Sequence, residues 1–566
     1  MKITGSQWIA LALVIAIGFA LAVLGTTPQP ALSDDRAASR FSAERAMAHV
    51  RAIGSEPHPT GSTANAEVRA YLVEELRRLG ADVRETQGAV PDVALDRFGR
   101  WSGERPDALT LTNVIGVLPG KQGGGGDDAI LLMAHHDTVY GSPGAADDSA
   151  GIAAIMETVR AIVAQGGVER DIVVLFTDGE ELGLLGARQF IDRNPLSDRV
   201  GAVVNLEARG GGGRTTLFQT SRDNGEAVSL YADAVGRPGG SSLATYIYEI
   251  LPNDTDLTPL LTRDYVAYNL SFIGRAEQYH SPSSVPDVLD RGALQDMGDQ
   301  TLALATALAN VSALPVASQS RTFFDVFGLF VVDYGTLAGW ALLIGTIAVH
   351  AYYLRLTRSE GWMSGLIGSA IVIFAGGLAL YCVNQLSGAG AGPAIYYDRL
   401  AALPRLEMQA LAICIASLVV SAPLWAGRSF SIIGITAAIA LQIVAPTTSF
   451  IAVWPMLLGG TAGVIGKSSN TAIAFAIRIV LAAMVIGFLL QFGHQFMQGA
   501  GTDLPMVTAL LSALAIPALA AVTPKTPIRR VAPIALIALV IALALALWVR
   551  LDPVSDTVPV YPSMKG

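Results

Sequence analysis

The feature that most limits how this 566-residue chain can fold is the series of apolar stretches filling its second half. They lie near 334–354, 362–382, 408–427, 430–446, 447–466, 471–491, 504–522 and 532–549. About 20 helical residues cover the roughly 30 Å of a bilayer's hydrocarbon core, so each stretch reads as a membrane-spanning helix. Only "PTTS" parts the fourth from the fifth, and a single re-entrant element over 430–466 is the alternative there.

Charge follows the same division. Beyond residue 300 lie 8 of the 47 acidic side chains and 13 of the 38 basic ones, so the first 300 residues are strongly acidic and the rest weakly basic. Near the N terminus, "WIALALVIAIGFALAVLG" (8–25) reads as an uncleaved anchor, because its apolar run exceeds a signal core and no small-x-small site closes it. Three parts follow: 1–35 as anchor and linker, 36–320 as a soluble domain, and 321–566 as an eight-helix transmembrane domain.

Orientation follows from the basic residues. With Lys2 held in the cytoplasm, the cytoplasmic loops carry Arg355 and Arg358, Arg428, Lys467, and Lys525 with Arg529 and Arg530. The opposite loops "PTTS" and "QFGHQFMQGAGTD" carry no Lys or Arg, and the 383–407 loop offsets Arg399 and Arg405 with Asp398 and Glu407. The soluble domain is therefore expected on the non-cytoplasmic side: the periplasmic face of a bacterial inner membrane, or the lumen of an endoplasmic reticulum or vacuole. Within the spans, Arg478 and His350 read as side chains that snorkel to the cytoplasmic face. The spans show no paired ionisable residues, which is poor material for an ion-coupled carrier. The only cysteines, Cys382 and Cys414, fall in or beside spans, so the soluble domain has neither disulfide nor thiolate metal site.

The soluble domain alternates between two periods. "FSAERAMAHVRAIGS" and "NAEVRAYLVEELRRLGADV" place apolar residues at helical spacing, whereas "ALTLTNVIGVLPG", "AILLMAHHD", "DIVVLFTD" and "GAVVNLEA" are short apolar strands separated by helical segments. That alternation predicts an α/β domain with a mostly parallel central sheet. In such a sheet the working crevice lies beyond the carboxyl ends of the strands. Three strands end there in ligand-type residues: "HHD", "DGEE" and "NLE".

Each cluster has a chemical reading. Residues i and i+2 of an extended chain share a face, making His135 a candidate metal ligand with Asp137 as its orienting carboxylate, while His136 points the other way as a structural residue. "GAADDSAG" puts Asp147 and Asp148 at a glycine-flanked turn opening a helix, where capping needs only one of them. In "DGEELGLLGAR", one of Glu180 and Glu181 can bind a cation while the other takes a proton from attacking water. Glu207 in "NLEARG" and His280 in "YHSPSS" complete the set.

In that order and spacing, "HHD", "GAADDSAG", "DGEELGLLG", "NLEARG" and "YHSPSS" resemble the co-catalytic zinc aminopeptidases of peptidase family M28, over roughly residues 40–310. The resemblance implies that Asp147 bridges two zinc ions, that His135 and Glu207 complete one site, and that Glu181 and His280 complete the other. It makes Glu180 the general base and places a cis peptide between Asp147 and Asp148. Glu at position 207, with an anchor and further spans, is similar to the family's membrane-bound, endoplasmic reticulum metallopeptidase type. The implied activity is removal of single N-terminal residues from peptides.

Three other readings are weighed against it. A glutaminyl cyclase would share the fold but use one zinc and an acyl transfer. A non-catalytic peptide-binding ectodomain would be expected to have lost ligands, and all five positions are filled. A carrier or chaperone in the spans finds no support in their polar residues. Peptide substrate and membrane lipid are the expected partners, and no oligomeric state is implied. Nucleic acid is excluded by an acidic soluble half with no basic stripe, and "GGGGR" lacks the Lys-Ser/Thr of a phosphate loop.

Overall fold

The computed structural model describes residues 3–552, except 36, 122–124, 127, 358–361, 392–395, 426–428, 470 and 525–526. Lys2, Arg358, Arg428 and Lys525, which carry part of the orientation argument, lie outside the described residues. The chain forms two compact units. One runs from Thr27 to Asp325, and the other takes the N-terminal helix with the residues from Tyr334 onward, short pieces being exchanged around 326–333.

The first unit is built on seven strands: β1 (Asp82–Ala89), β2 (Thr110–Leu118), β3 (Ala129–His135), β4 (Ile172–Thr177), β5 (Val200–Ala208), β6 (Thr216–Thr220) and β7 (Val266–Phe272). Their order is β1-β2-β4-β3-β5-β7-β6. The four central strands β4, β3, β5 and β7 pair in parallel, and β2 and β6 run against them. All seven positions of β3 and of β7 and all six of β4 are buried, as expected where helices cover both faces of a parallel sheet.

Alternation divides the strand residues between two cores. Leu132, Val174 and Val204 pack with Met47, Ile155 and Met297 from the helices Ala43–Ile53, Ser149–Ala164 and Arg291–Asn310. Leu131, Met133, Val173 and Val203 pack on the opposite face with Phe190, Ile191, Leu257 and Leu260. Burial at about 25 cal/mol per Å² fixes the register on both sides, since a one-residue slip would exchange the two sets. The parallel register sets His135 beside Thr177, so the ends of β3 and β4 finish level.

In the second unit, seven helices are long and apolar enough to cross a membrane: Gln7–Thr26, Thr336–Leu356, Met363–Leu386, Leu403–Leu424, Phe450–Ser468, Ala472–Ala500 and Ile528–Leu551. Six of the eight expected C-terminal spans are among them. The other two need correction. The 430–446 stretch is a shorter helix, Ser429–Val444, turned back at Pro446–Thr448 and separate from its successor, so 430–466 is not one element. The 504–522 stretch divides into Val507–Leu514 and Ile516–Val522, because Pro517 has no N–H to carry the helix across that point.

Two expectations about polar groups in this unit also change. His350 does not snorkel: it is 1% exposed and its Nε2 donates to the Met456 carbonyl at 2.9 Å. Gly460 permits this approach, since a Cβ there would stand 2.6 Å from that nitrogen. Paired ionisable residues do occur, for Glu407 accepts from His494 Nδ1 at 3.0 Å and from Gln498 Nε2 at 2.7 Å. The partners are 87 and 91 residues apart in the chain, beyond the reach of any local pattern. Arg478 lies with its guanidinium 5.5 Å from the Phe475 ring.

Candidate active site

The strand ends bring the anticipated side chains into one buried cluster. His135 closes β3, Glu180 and Glu181 follow β4, and Glu207 is the next-to-last residue of β5. Asp147 comes from the turn before Ser149–Ala164, and His280 from the segment after β7, where its φ of 52° is in the left-handed region. His135 Nε2 lies 3.1 Å from Asp147 Oδ1, while His280 Nε2 lies 3.1 Å from Asp147 Oδ2 and 3.0 Å from Glu181 Oε1. One carboxylate thus presents an oxygen to each imidazole. Ligand-type atoms of His135, Asp147 and Glu207 lie within 4.8 Å of one another, as do those of Asp147, Glu181 and His280, and those of His135, Glu180 and Glu181.

Supporting groups fix these positions. His135 Nδ1 stands 2.9 Å from the Asp137 carbonyl, which can only accept, so that nitrogen carries a proton and Nε2 is the one turned to the cluster. The Asp137 carboxylate is farther from that ring, at 3.6 Å. It accepts instead from the backbone N–H of Glu180 at 3.0 Å and of Glu181 at 3.3 Å. Asp137 therefore orients the histidine chiefly through its main chain and uses its side chain to hold the turn that presents both glutamates. That division is not visible in an H-x-D pattern.

The two adjacent aspartates also divide their work. Asp148 caps Ser149–Ala164 by accepting from Gly151 N at 3.0 Å, which leaves Asp147 for the cluster. The peptide joining them is cis. His136 faces away from the cluster, with Nε2 2.9 Å from the Thr112 carbonyl and Nδ1 3.2 Å from Asn65 Nδ2. The His280 ring stacks on Tyr279 with centroids 3.8 Å apart.

Electrostatics show what the cluster lacks. Burial pushes Glu207 up to about 8 against the opposing pull of His135, with Asp147 and Asp256 adding to the rise. Burial likewise holds Glu180 and Asp148 well above the usual carboxylate range. For Asp147, burial is outweighed by hydrogen bonds from His135 and His280, and its carboxyl falls below that range. Burial alone would depress His280, but Glu181 and Asp147 reverse this and raise it to about 9. Carboxylates packed away from water at this density are stabilised by a cation, and buried imidazole nitrogens with carboxylate oxygens are the donor set that Zn²⁺ accepts.

One buried acid here escapes sequence reasoning. Asp256 is 1% exposed and accepts the Thr177 hydroxyl at the end of β4. Burial raises it to about 7, with His135 opposing and Asp137 and Glu181 adding to the rise. It comes from "NDTDLTP", which reads as an ordinary turn. Only the parallel placement of β4 carries it under the cluster.

Comparison with known proteins follows the same lines. Residues 113–305 match the model of peptidase family M28. The chain is 30% identical over 330 residues to endoplasmic reticulum metallopeptidase 1 of Mus musculus, covering 55% of this chain and 36% of that protein. It is 28% identical over 366 residues to the vacuolar membrane protease of Yarrowia lipolytica, covering 60% of this chain and 36% of that one. The chain thus spans little more than a third of these relatives' length. Among solved structures, an aminopeptidase from Aneurinibacillus sp. strain AM-1 aligns over 51% of this chain and 99% of its own, at 14% identity and a TM-score of 0.39. All five clustered side chains fall within residues 113–305, the stretch that matches peptidase family M28.

Proposed function

We propose that this protein is a membrane-bound, zinc-dependent exopeptidase that removes residues from the free N terminus of peptides, holding two zinc ions per chain. The observation that carries this reading is the Asp147 carboxylate, with one oxygen toward His135 and the other toward His280 and Glu181. In this reading His135, Asp147 and Glu207 hold one ion, and Asp147, Glu181 and His280 hold the other. Zinc bound there would lower the pKa of water and polarise the scissile carbonyl.

The rest of the chemistry belongs to the chain. Glu180 stands beside His135 and Glu181, anchored through its N–H by Asp137, and serves as the base that takes the water's proton and returns it to the leaving amine. Burial keeps the Glu180 carboxyl high, as suits a group that must give back what it takes. The parts assigned are 1–35 as anchor and linker, 36–320 as peptidase and 321–566 as membrane domain, with the peptidase on the non-cytoplasmic side and lipid around the spans.

The test measures zinc per chain and release of free amino acid from short peptides, for the unsubstituted chain and for Glu180→Gln. Two zinc ions in both, with hydrolysis confined to the former, is the expected result. One zinc with cyclisation of N-terminal glutamine instead of hydrolysis would replace the reading with the cyclase, and unchanged turnover in Glu180→Gln would remove the base assignment.

A further inference from the structure

Resting on the peptidase reading, we infer that Arg97 recognises the free carboxylate at the far end of a short peptide, so that the preferred substrates are short peptides with an unblocked C terminus. Arg97 lies in the helix Asp92–Ser102, between β1 and β2. That helix is fixed beside the cluster: its buried Ala94 and Leu95 pack with Val139, two residues after Asp137, and with Leu182, next to Glu181. From there Arg97 Nη1 donates to the Glu181 carbonyl at 3.3 Å. The side chain is half-buried and makes no ion pair with an acidic side chain among the described residues.

A guanidinium has five N–H donors, and one long bond to a carbonyl leaves most of them available. Its planar fork matches a carboxylate, with two parallel N–H···O bonds. The surroundings make this cation more informative than it would be on an ordinary surface. Asp147, Glu180, Glu181, Glu207 and Asp256 crowd the cluster, and among the cations beside it Arg97 is one that the chain itself supplies. Arg97 is placed on the backbone of one of those acids. The rim beside it is aromatic: Phe98 meets Tyr140 edge to face with centroids 6.3 Å apart, and Tyr140 is 42% exposed. An aromatic wall next to a guanidinium suits the last side chain and terminal carboxylate of a bound tripeptide better than a chain continuing past the site.

A simpler role is available to Arg97, as a prop for the Glu181 turn, and the two roles separate experimentally. The full-length protein in detergent is given Leu-Gly-Gly and its C-terminal amide, with kcat and KM measured for each. The unsubstituted chain is expected to favour the free acid by about tenfold to hundredfold in kcat/KM, the usual worth of a charge-assisted hydrogen bond. Arg97→Gln should abolish that preference by raising KM for the acid more than for the amide, and Arg97→Lys should restore part of it as a point charge. Equal kcat/KM for acid and amide in the unsubstituted chain overturns the inference without any variant. Equal losses on both substrates in Arg97→Gln assign the residue to propping the turn and overturn it too. Inactivity of the unsubstituted chain on every peptide removes the peptidase reading and this inference with it.

Discussion

Both units bury charged side chains, and they do so in opposite ways. In the helical unit, Arg399 is 5% exposed yet donates to Ser387 O at 3.1 Å, Ser387 Oγ at 2.7 Å, Asn384 Oδ1 at 2.7 Å and Thr502 O at 2.8 Å. Every hydrogen-bond partner is neutral and belongs to the chain, and the group ties three segments together, around 384–387, 399 and 502. In the sheet unit, Asp147, Glu181 and Glu207 face one another with two imidazoles between them. The first arrangement satisfies itself; the second is short of positive charge. A buried charge is structural where its partners are complete and points to a ligand where they are not.

Substitutions should widen this contrast. The largest expected effect is at Glu180, where Gln keeps the shape and removes the base: kcat should fall by about 10²- to 10⁴-fold with bound zinc unchanged. Loss of zinc together with activity would instead make Glu180 a ligand. Next comes Arg399→Leu, which takes the guanidinium bonds from the Ser387 carbonyl and Asn384 Oδ1 and should cost on the order of 3 kcal/mol in a denaturant titration of the detergent-solubilised protein, again without loss of zinc. A drop in zinc content there would show that the two units are coupled.

His136→Leu should cost about 2 kcal/mol, because it removes the ring's bonds to the Thr112 carbonyl and to Asn65 Nδ2. Zinc and kcat/KM should be retained, whereas His135→Leu should lose the metal. Equal zinc loss in both would erase the distinction drawn between neighbouring histidines.

The last test concerns pH. With Glu207 raised to about 8 and His280 to about 9, both hold protons at pH 7 in the metal-free state, while metal donors must be deprotonated. Metal binding therefore releases protons, and affinity should rise as pH climbs from 6 toward 9, by up to about tenfold per unit for each proton displaced. Calorimetric titration with zinc in two buffers of different ionisation enthalpy measures the release. Affinity that stays flat over this window would mean that these donors are not the ones the metal meets.

How far the site could be read in advance depended on the range of each interaction. His135, Asp147, the Glu180–Glu181 pair and Glu207 could be picked out as ligand-type residues because each sits at the end of a short apolar run or in a glycine-marked turn, whereas His280 in "YHSPSS" stood out only through the resemblance of the motifs in order. His136 was separable from His135 because alternate residues of a strand face opposite sides. Asp256 and Arg97 were not legible, since a lone aspartate in a turn and an arginine on an amphipathic helix look like surface residues until the sheet places them. The helical unit shows the same limit. Its apolar lengths announced the spans, but the His350 bond to Met456 and the pairing of Glu407 with His494 both depend on a neighbouring helix.

What the sequence determined by itself was local: the alternation of strand and helix, the polar residues at strand ends, the membrane-length helices and the absence of a thiolate site. These follow from periodicity and composition, which a chain carries in any conformation. The tertiary structure alone decided which oxygens of Asp147 face which imidazole, that the Asp137 side chain grips the glutamate turn, and which buried charges are complete. Those are distances between segments tens to hundreds of residues apart, set only when the strands lie side by side and their ends finish at one level.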